Sequence, residues 1–273
     1  MKVHDPASTV SVQWSRMLAA LDAPVSRPQA AVPVLGLSGA PGSGKSTLAR
    51  AWADAGPARV VVALDDFYLP AETRRRLARR VHPWLATRGV PGTHDAARLA
   101  AVLDALVDGR PVRWPCFDKA RDRHVGPDRS WPGGRPAAIL VEGWCLGARR
   151  WPRTPKVPGK WLTHVDHALR RDLAAVARRF DRLVFLRAPD PLLVGDWRWQ
   201  AELGRLGPHA DRTTIQRFVQ PMMPLVVEMI VRPPVGAVVF DLPVHRDGPV
   251  HARPGAAILP GSHSPIPRTE PPS

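Results

Sequence analysis

The chain has 273 residues, 44% of them hydrophobic, which is enough for one α/β domain with a sizeable core. Two cysteines and no long apolar run exclude a disulfide framework, a CxxC zinc site, a membrane span and a secretory signal, so we expect a cytoplasmic protein. The formal net charge of +15 comes mostly from arginines in every segment, so it predicts a solvated surface that attracts anionic substrates, without favouring a membrane or nucleic acid as partner.

The predicted elements begin with an N-terminal part, residues 1–31, in which a short amphipathic helix around 12–21 precedes a Pro/Ala linker. An apolar run over 32–38 predicts the first strand, and a Gly-rich turn separates it from a helix over 45–53. Residues 60–64 are apolar without alternation, which predicts a second strand that is buried on both faces.

Helices and strands continue to alternate in the rest of the chain. Apolar residues at helical spacing predict a helix over 98–108 that ends before Gly109. The same criteria predict strands at 137–141, 183–186 and 237–241, and helices at 167–179, 191–203 and 213–230. The last helix is expected to be interrupted at Pro221 and Pro224, because proline has no N–H to donate.

This succession predicts an α/β fold with a parallel sheet of about five strands and helices on both faces. The corresponding domain is expected to span 32–245. Residues 246–273 are rich in Pro, Gly and Ser without periodicity, which predicts a disordered tail. The oligomeric state cannot be read from these patterns.

The turn after the first strand matches the phosphate-binding pattern G-x-x-x-x-G-K-[ST] over residues 39–46. Glycines allow successive N–H groups to point at phosphate oxygens, the lysine adds a positive charge, and the serine hydroxyl can bind Mg²⁺. An apolar strand before the pattern and a helix after it are the context that a P-loop NTPase-type sheet requires. The residues predicted to bind the nucleotide are Gly39, Ala40, Pro41, Gly42, Ser43, Gly44, Lys45, Ser46 and Thr47.

The predicted nucleotide is ATP, with Mg²⁺ as its metal. The chain contains no asparagine, so it lacks the N-K-x-D motif by which GTPases read guanine. Asp65 and Asp66 follow the second strand, where functional residues of parallel sheets collect, and Asp65 is the preferred candidate for orienting or deprotonating an acceptor hydroxyl. Glu142 ends the third strand and has the character of a Walker B carboxylate. The candidate metal ligands are Ser46, Asp65 and Glu142. For Asp65 and Asp66 the alternative is helix capping or an indirect contact with Mg²⁺ without base chemistry, and for Glu142 it is a purely structural carboxylate.

Six segments in this order resemble the glycerate kinases of plant and fungal type and their bacterial relatives. That family lies within the phosphoribulokinase, uridine kinase and pantothenate kinase group of P-loop kinases, and the resemblance covers roughly residues 32–244. The segments are 37–49 (LSGAPGSGKSTLA), 64–70 (LDDFYLP), 88–95 (RGVPGTHD), 117–123 (FDKARDR), 141–147 (VEGWCLG) and 196–202 (DWRWQAE).

The resemblance implies a kinase with helical lid and acceptor elements that phosphorylates D-glycerate to 3-phosphoglycerate. It implies that Asp65 activates the acceptor hydroxyl and that Arg198, on a lid, helps Lys45 and Glu142 in catalysis. The residues predicted to contact the acceptor are Asp66, Tyr68, Arg88, His94, Asp95, Lys119 and Arg123.

Several of these residues have plainer interpretations. Asp95 could cap a helix, Lys119 and Arg123 could be solvated surface charges, and Arg198 could be an ordinary helical arginine. Met222 and Met223 stand where the family carries tyrosine near a proline, and segment 149–160 has no assigned role. Another acceptor, such as uridine, pantothenate or a sugar acid, is the alternative substrate. A nucleic-acid-associated P-loop ATPase is the alternative class of protein.

Overall fold

The computed structural model describes residues 6–25, 31–150, 159–206, 211–244 and 251–253. Its central sheet consists of six strands: β1 (Val34–Gly39), β2 (Arg59–Ala63), β5 (Ala138–Gly143), β6 (Arg182–Arg187), β7 (Val238–Asp241) and β8 (His251–Arg253). They lie in the order β2-β5-β1-β6-β7-β8. The first five in that order are mutually parallel, and β8 runs antiparallel to β7. The predicted parallel sheet of about five strands is therefore confirmed.

Helices cover both faces of this sheet, as expected. Alternate residues of β5 belong to two different hydrophobic clusters, Ile139 and Val141 to one and Ala138 and Leu140 to the other, so the clusters lie on opposite faces. The described helices are α1 (Pro6–Val25), α2 (Lys45–Asp54), α3 (Ala71–Arg80), α4 (Ala96–Val107), α5 (Gly159–His167), α6 (Ala174–Ala177), α7 (Leu192–Leu206), α8 (Arg212–Val219) and α9 (Met223–Val231). None of these described helices is long and apolar enough to cross a bilayer.

The N-terminal helix α1 is longer than expected and packs on the sheet with α2. Leu21 is completely buried in the same cluster as Trp52. The Trp52 indole N–H donates to Asp22 Oδ1 at 2.9 Å, and Arg59 forms an ion pair with the same oxygen at 3.0 Å. Helix α1 therefore shares the core of the domain that was expected to begin at residue 32.

An antiparallel hairpin, β3 (Val112–Asp118) and β4 (Arg123–Trp131), lies outside the central sheet and was not predicted. Its second strand contains Gly, Pro and exposed charged residues, so it lacks the apolar alternation by which strands are recognised. The segment 117–123, part of the family resemblance, forms the tip of this hairpin. The hairpin therefore carries one of the motifs to the functional site.

The C-terminal third differs in detail from expectation. The helix expected at 167–179 begins earlier, as α5, and continues through a π-helical stretch, Ala168–Leu173, into α6. The helix expected at 213–230 is indeed interrupted near Pro221, where a short 3₁₀ turn, Gln220–Met222, joins α8 to α9. Within the tail expected to be disordered, residues 251–253 pair with β7 as a strand. The rest of that tail, and most of 149–160, lie outside the described residues.

Candidate active site

The phosphate-binding turn lies between the end of β1 and the start of α2. Gly42 and Gly44 have φ values of 79° and 90°, in the left-handed region that glycine adopts without strain. A Cβ added at Gly42 would lie 2.6 Å from the backbone carbonyl carbon of Trp197, so the turn passes directly against α7. Ser43 Oγ is buried without a hydrogen-bond partner, as expected of a hydroxyl in a turn shaped to receive an anion.

Lys45 is the first residue of α2 and is 8% exposed. Its ammonium donates to the Ala40 carbonyl at 3.0 Å. Burial lowers the pKa of Lys45, while the carboxylates of Glu142 and Asp65 act in the opposite direction. A bound anion would further stabilise the charged form of this buried ammonium. Lys45 is therefore suited to contact a phosphate.

Ser46 and Glu142 form a pair of oxygen ligands beside Lys45. The Ser46 hydroxyl donates to Glu142 Oε1 at 2.7 Å, and Glu142 lies near the carboxyl end of β5 with 8% exposure. Burial raises the pKa of Glu142, and the Lys45 ammonium opposes this effect. Hard oxygen ligands in small number suit Mg²⁺, which takes most of its remaining ligands from water and substrate phosphates.

Asp65 lies in a 3₁₀ turn, Leu64–Phe67, directly after β2. Its Oδ2 forms an ion pair with Lys119 Nζ at 2.6 Å, and its Oδ1 accepts from the Tyr68 hydroxyl at 2.7 Å. Burial favours protonation of this carboxyl, but Lys119 and Tyr68 outweigh that effect and hold the pKa of Asp65 below its usual range. Asp65 is therefore a carboxylate at neutral pH, and both of its oxygens already have donors.

Arg88 is held next to this group by the tip of the hairpin. It donates to Asp122 Oδ1 at 2.7 Å and to the Lys119 carbonyl at 2.9 Å. Arg74, which is 1% exposed, donates to the other Asp122 oxygen at 2.6 Å. Asp122 thus joins two arginines, and this junction fixes the hairpin tip against the loop that carries Arg88.

Arg198 approaches the cleft from α7, the helix that contacts Gly42. It forms an ion pair with Glu202, one turn further along the helix. Its guanidinium carbon lies 5.6 Å from the centroid of the Phe218 ring, a distance typical of cation–π contacts.

These groups line one cleft of about 860 Å³, open solvent included. The predicted site residues that line it are Pro41, Gly42, Gly44, Lys45, Ser46, Thr47, Asp65, Tyr68, Arg88, Lys119, Glu142 and Arg198. Gly39, Ala40 and Ser43 complete the turn behind this wall. The structure therefore brings the predicted nucleotide residues and the core of the predicted acceptor residues together.

Four residues predicted to contact the acceptor do not line the cleft. Asp66 points to the hairpin, where it accepts from the Phe117 N–H at 3.0 Å and from Arg129 at 2.9 Å. Asp95 caps α4 by accepting from the Arg98 N–H at 2.9 Å, which was the alternative interpretation of this residue. Arg123 begins β4 and is exposed.

The fourth of these residues, His94, lies behind Tyr68. Its ring stacks on the Tyr68 ring with centroids 4.6 Å apart, and both ring nitrogens are buried without a hydrogen-bond partner. Burial lowers the pKa of His94 to about 4, although the Asp65 carboxylate acts in the opposite direction. His94 therefore supports Tyr68 as a neutral ring.

Some residues of the site were not predicted. Phe218 and Met222 complete the cleft wall from α8 and the turn after it, and Arg74, Asp122 and Glu202 pair with predicted arginines or with each other. The spacing of Glu202 from Arg198, four residues on a helix, could have indicated their pairing. No comparable signal identifies Arg74 within its run of three arginines.

The chain is similar to known proteins in both sequence and fold. No protein-family model matches the chain. The uncharacterized kinase mug58 of Schizosaccharomyces pombe is 34% identical over 197 residues, which cover 62% of this chain and 69% of that protein.

Two solved structures share the fold at low sequence identity. The YGR205w protein has a TM-score of 0.69 at 18% identity, covering 91% of this chain and 98% of that one. D-glycerate 3-kinase from Cryptococcus neoformans var. grubii has a TM-score of 0.67 at 18% identity, covering 90% and 97%. The likeness to mug58 extends over more than two thirds of that protein, and the chain therefore belongs to the same family of P-loop kinases, within the group that its motifs resemble.

Proposed function

We propose that this kinase transfers the γ-phosphate of ATP to the 3-hydroxyl of D-glycerate, giving 3-phosphoglycerate and ADP. One observation carries the proposal: a single cleft is lined by a phosphate-binding turn and by an ionised aspartate flanked by Lys119 and Arg88. The chain belongs to a family of kinases, which supports phosphate transfer. The six motifs that resemble glycerate kinases support the acceptor, and a structural neighbour of that name has the same fold.

The nucleotide side of the cleft would hold ATP with Mg²⁺. Backbone N–H groups of residues 42–46 and the Lys45 ammonium would contact the phosphates, and α2 would direct its positive end at them. Ser46 and Glu142 would bind Mg²⁺ directly or through its water. The ion supplies charge neutralisation of the phosphate oxygens when bound. Asp65, also predicted as a metal ligand, is already paired with the Lys119 ammonium, which disfavours a second cation there. Each Asp65 oxygen has a lone pair left for an acceptor hydroxyl, so an acceptor role is favoured for this residue.

Asp65 would orient the acceptor hydroxyl by accepting its hydrogen bond. Its pKa is below the usual range, so it is a weak base that removes the proton only as the new bond forms. The acceptor oxygen bonds to the γ-phosphorus, the bond from that phosphorus to the β-bridging oxygen breaks, and the proton passes to Asp65. A loose transition state needs positioning and charge stabilisation more than a strong base.

The acceptor carboxylate would be bound by Arg88. A guanidinium matches a carboxylate with two parallel donors, and Arg88 is held in the cleft wall by Asp122. Lys119, whose carbonyl accepts from Arg88, adds a positive charge beside Asp65. An acceptor that carries both a carboxylate and a hydroxyl, as glycerate does, satisfies both groups at once.

The proposal is tested by ADP release with Mg²⁺·ATP and a panel of acceptors: D-glycerate, L-glycerate, pantothenate, uridine and ribulose 5-phosphate. Saturable turnover with D-glycerate is expected, and Lys45→Ala should abolish it while circular dichroism shows an intact fold. Activity on a different acceptor alone would remove D-glycerate as the substrate. ADP release that needs no acceptor but increases with added RNA would favour the ATPase alternative instead.

A further inference from the structure

Glu202 is a buried carboxylate on α7 that the proposed transfer reaction does not use directly. Its side chain is 9% exposed, and that of its ion-pair partner Arg198 is 17% exposed. A carboxylate removed from water is costly unless a charge compensates it, so this pair differs from the exposed ion pairs of the surface. Four residues separate the two on one helix, a spacing that places them side by side.

The Arg198 guanidinium is enclosed by elements that also form the cleft. Phe218 of α8 lies on it at 5.6 Å, and the same ring lies 5.4 Å from the guanidinium of Arg88. The backbone at Trp197 and Arg198 contacts the phosphate-binding turn at Gly42. Arg198 is therefore placed between the phosphate-binding turn and Arg88.

The positive charges that line the cleft explain why Arg198 needs a carboxylate beside it. Lys45, Lys119 and Arg198 all line the cleft, and the Arg198 charge acts to lower the pKa of both lysines, which shows their mutual repulsion. Lys119 is paired with Asp65, and Glu142 acts on Lys45. Glu202 supplies the corresponding carboxylate for Arg198.

We propose that Glu202 is a positioning residue that keeps Arg198 directed into the cleft, ready for the charge that develops on the transferring phosphate; this rests on the proposed phosphate transfer. Glu202 contacts Nη2, at one corner of the guanidinium, and a guanidinium has further donors in the same plane. Glu202 also competes with ATP for Arg198. Its loss should therefore lower kcat without weakening the binding of ATP.

The test is a double-mutant cycle of Glu202→Gln and Arg198→Ala, with kcat, the KM of ATP and the affinity of a non-hydrolysable ATP analogue with Mg²⁺ measured by calorimetry. Glu202→Gln is expected to lower kcat about 10- to 100-fold, by analogy with the loss of residues that orient metal ligands. The analogue should bind this variant at least as tightly as the wild type. In the Arg198→Ala background, Glu202→Gln should have no further effect on kcat, and Glu202→Asp should retain more activity than Glu202→Gln.

A matched control is Glu228→Gln on α9, because Glu228 also forms an ion pair with an arginine four residues later, Arg232, away from the cleft. It should keep wild-type kcat. A wild-type kcat in Glu202→Gln, equal effects of that change with and without Arg198, or weaker binding of the analogue would each overturn the proposal. If the wild type fails to phosphorylate D-glycerate, the acceptor assignment is wrong. The role of Glu202 is then tested by the same double-mutant cycle with the acceptor that is active, or with water as the acceptor.

Discussion

Arg88 and Arg123 both lie in segments that resemble glycerate kinases, but the structure places them in different environments. Arg88 lines the cleft and is held by Asp122, whereas Arg123 is exposed at the start of β4. Both were predicted to contact the acceptor, and their sequence surroundings do not distinguish them. Only the fold, which directs one to the cleft, separates a candidate ligand from a surface charge.

Replacing these arginines should therefore have different effects. Arg88→Ala is expected to raise the KM for D-glycerate about 10- to 100-fold, the effect of losing a hydrogen bond between charged groups, with a smaller change in the KM for ATP. Arg88→Lys should recover only part of this loss, because lysine lacks the planar fork. Arg123→Ala is the control and should behave as the wild type. Steady-state kinetics checks both, and an equal rise in KM for Arg123→Ala would contradict the assignment.

His94 should make the stability of the protein depend on pH. Its pKa falls from 6.5 to about 4 on burial, so below pH 6.5 the unfolded chain binds a proton that the folded protein does not. The free energy of unfolding should therefore decrease as the pH falls from 6.5 to 4, by about 3 kcal/mol from this residue. Above pH 6.5 this residue makes no pH-dependent contribution.

The measurement is urea unfolding of the wild type and His94→Gln at several pH values from 7.5 to 4. Whatever its absolute stability, the free energy of unfolding of the variant should decrease less steeply with falling pH. Parallel curves for the two proteins would show that His94 is not a buried neutral ring.

At the scale of elements, the β3–β4 hairpin delivers Lys119 to Asp65 and Asp122 to Arg88. Its attachment depends on Asp66, whose side chain is 8% exposed and accepts from Phe117 and Arg129. Asp66 is adjacent in sequence to Asp65 but anchors the hairpin instead of lining the cleft. The two neighbouring carboxylates thus have different tasks because the 3₁₀ turn directs them to different partners.

Asp66→Ala is expected to loosen the hairpin. It leaves the Phe117 N–H without its acceptor, which should cost about 1–3 kcal/mol of unfolding free energy. It should also raise the KM for the acceptor by a larger factor than it changes the KM for ATP. The reason is that the hairpin holds Lys119 and Arg88 in the cleft. Denaturant unfolding and steady-state kinetics give the two quantities. Asp128→Ala, an exposed position on β4, is the matched control, and equal effects of the two changes would contradict the anchoring role.

The elements that could be predicted were those with a strong local pattern. The buried parallel strands are short apolar runs. Pro221 interrupts the helix because proline has no N–H to donate to a helical hydrogen bond. The hairpin was missed because β4 has no apolar face to recognise. It is stabilised by contacts between distant residues, such as Asp66 with Arg129, and no local pattern contains that information.

At the scale of the whole molecule, the parallel sheet places the turn after β1, the turn after β2 and the end of β5 at one edge. Lys45, Asp65 and Glu142 come from these three places, so the sequence motifs and strand ends sufficed to predict the centre of the site. The Asp122–Arg88 pair joins segments 34 residues apart and was found only in the structure. The Glu202–Arg198 pair lies within one helix, where its four-residue spacing was a signal that the sequence offered but that was not used.

In the proposed reaction, this cleft directs phosphate to the 3-hydroxyl of D-glycerate. Proton-coupled ³¹P NMR of the products formed from D-glycerate and Mg²⁺·ATP tests it most directly, because the number of protons on the esterified carbon sets the splitting of the phosphorus signal. A triplet from phosphate on the CH₂ carbon is expected, appearing together with ADP and missing in Lys45→Ala. A doublet from the 2-phosphate, or inorganic phosphate alone, would contradict it.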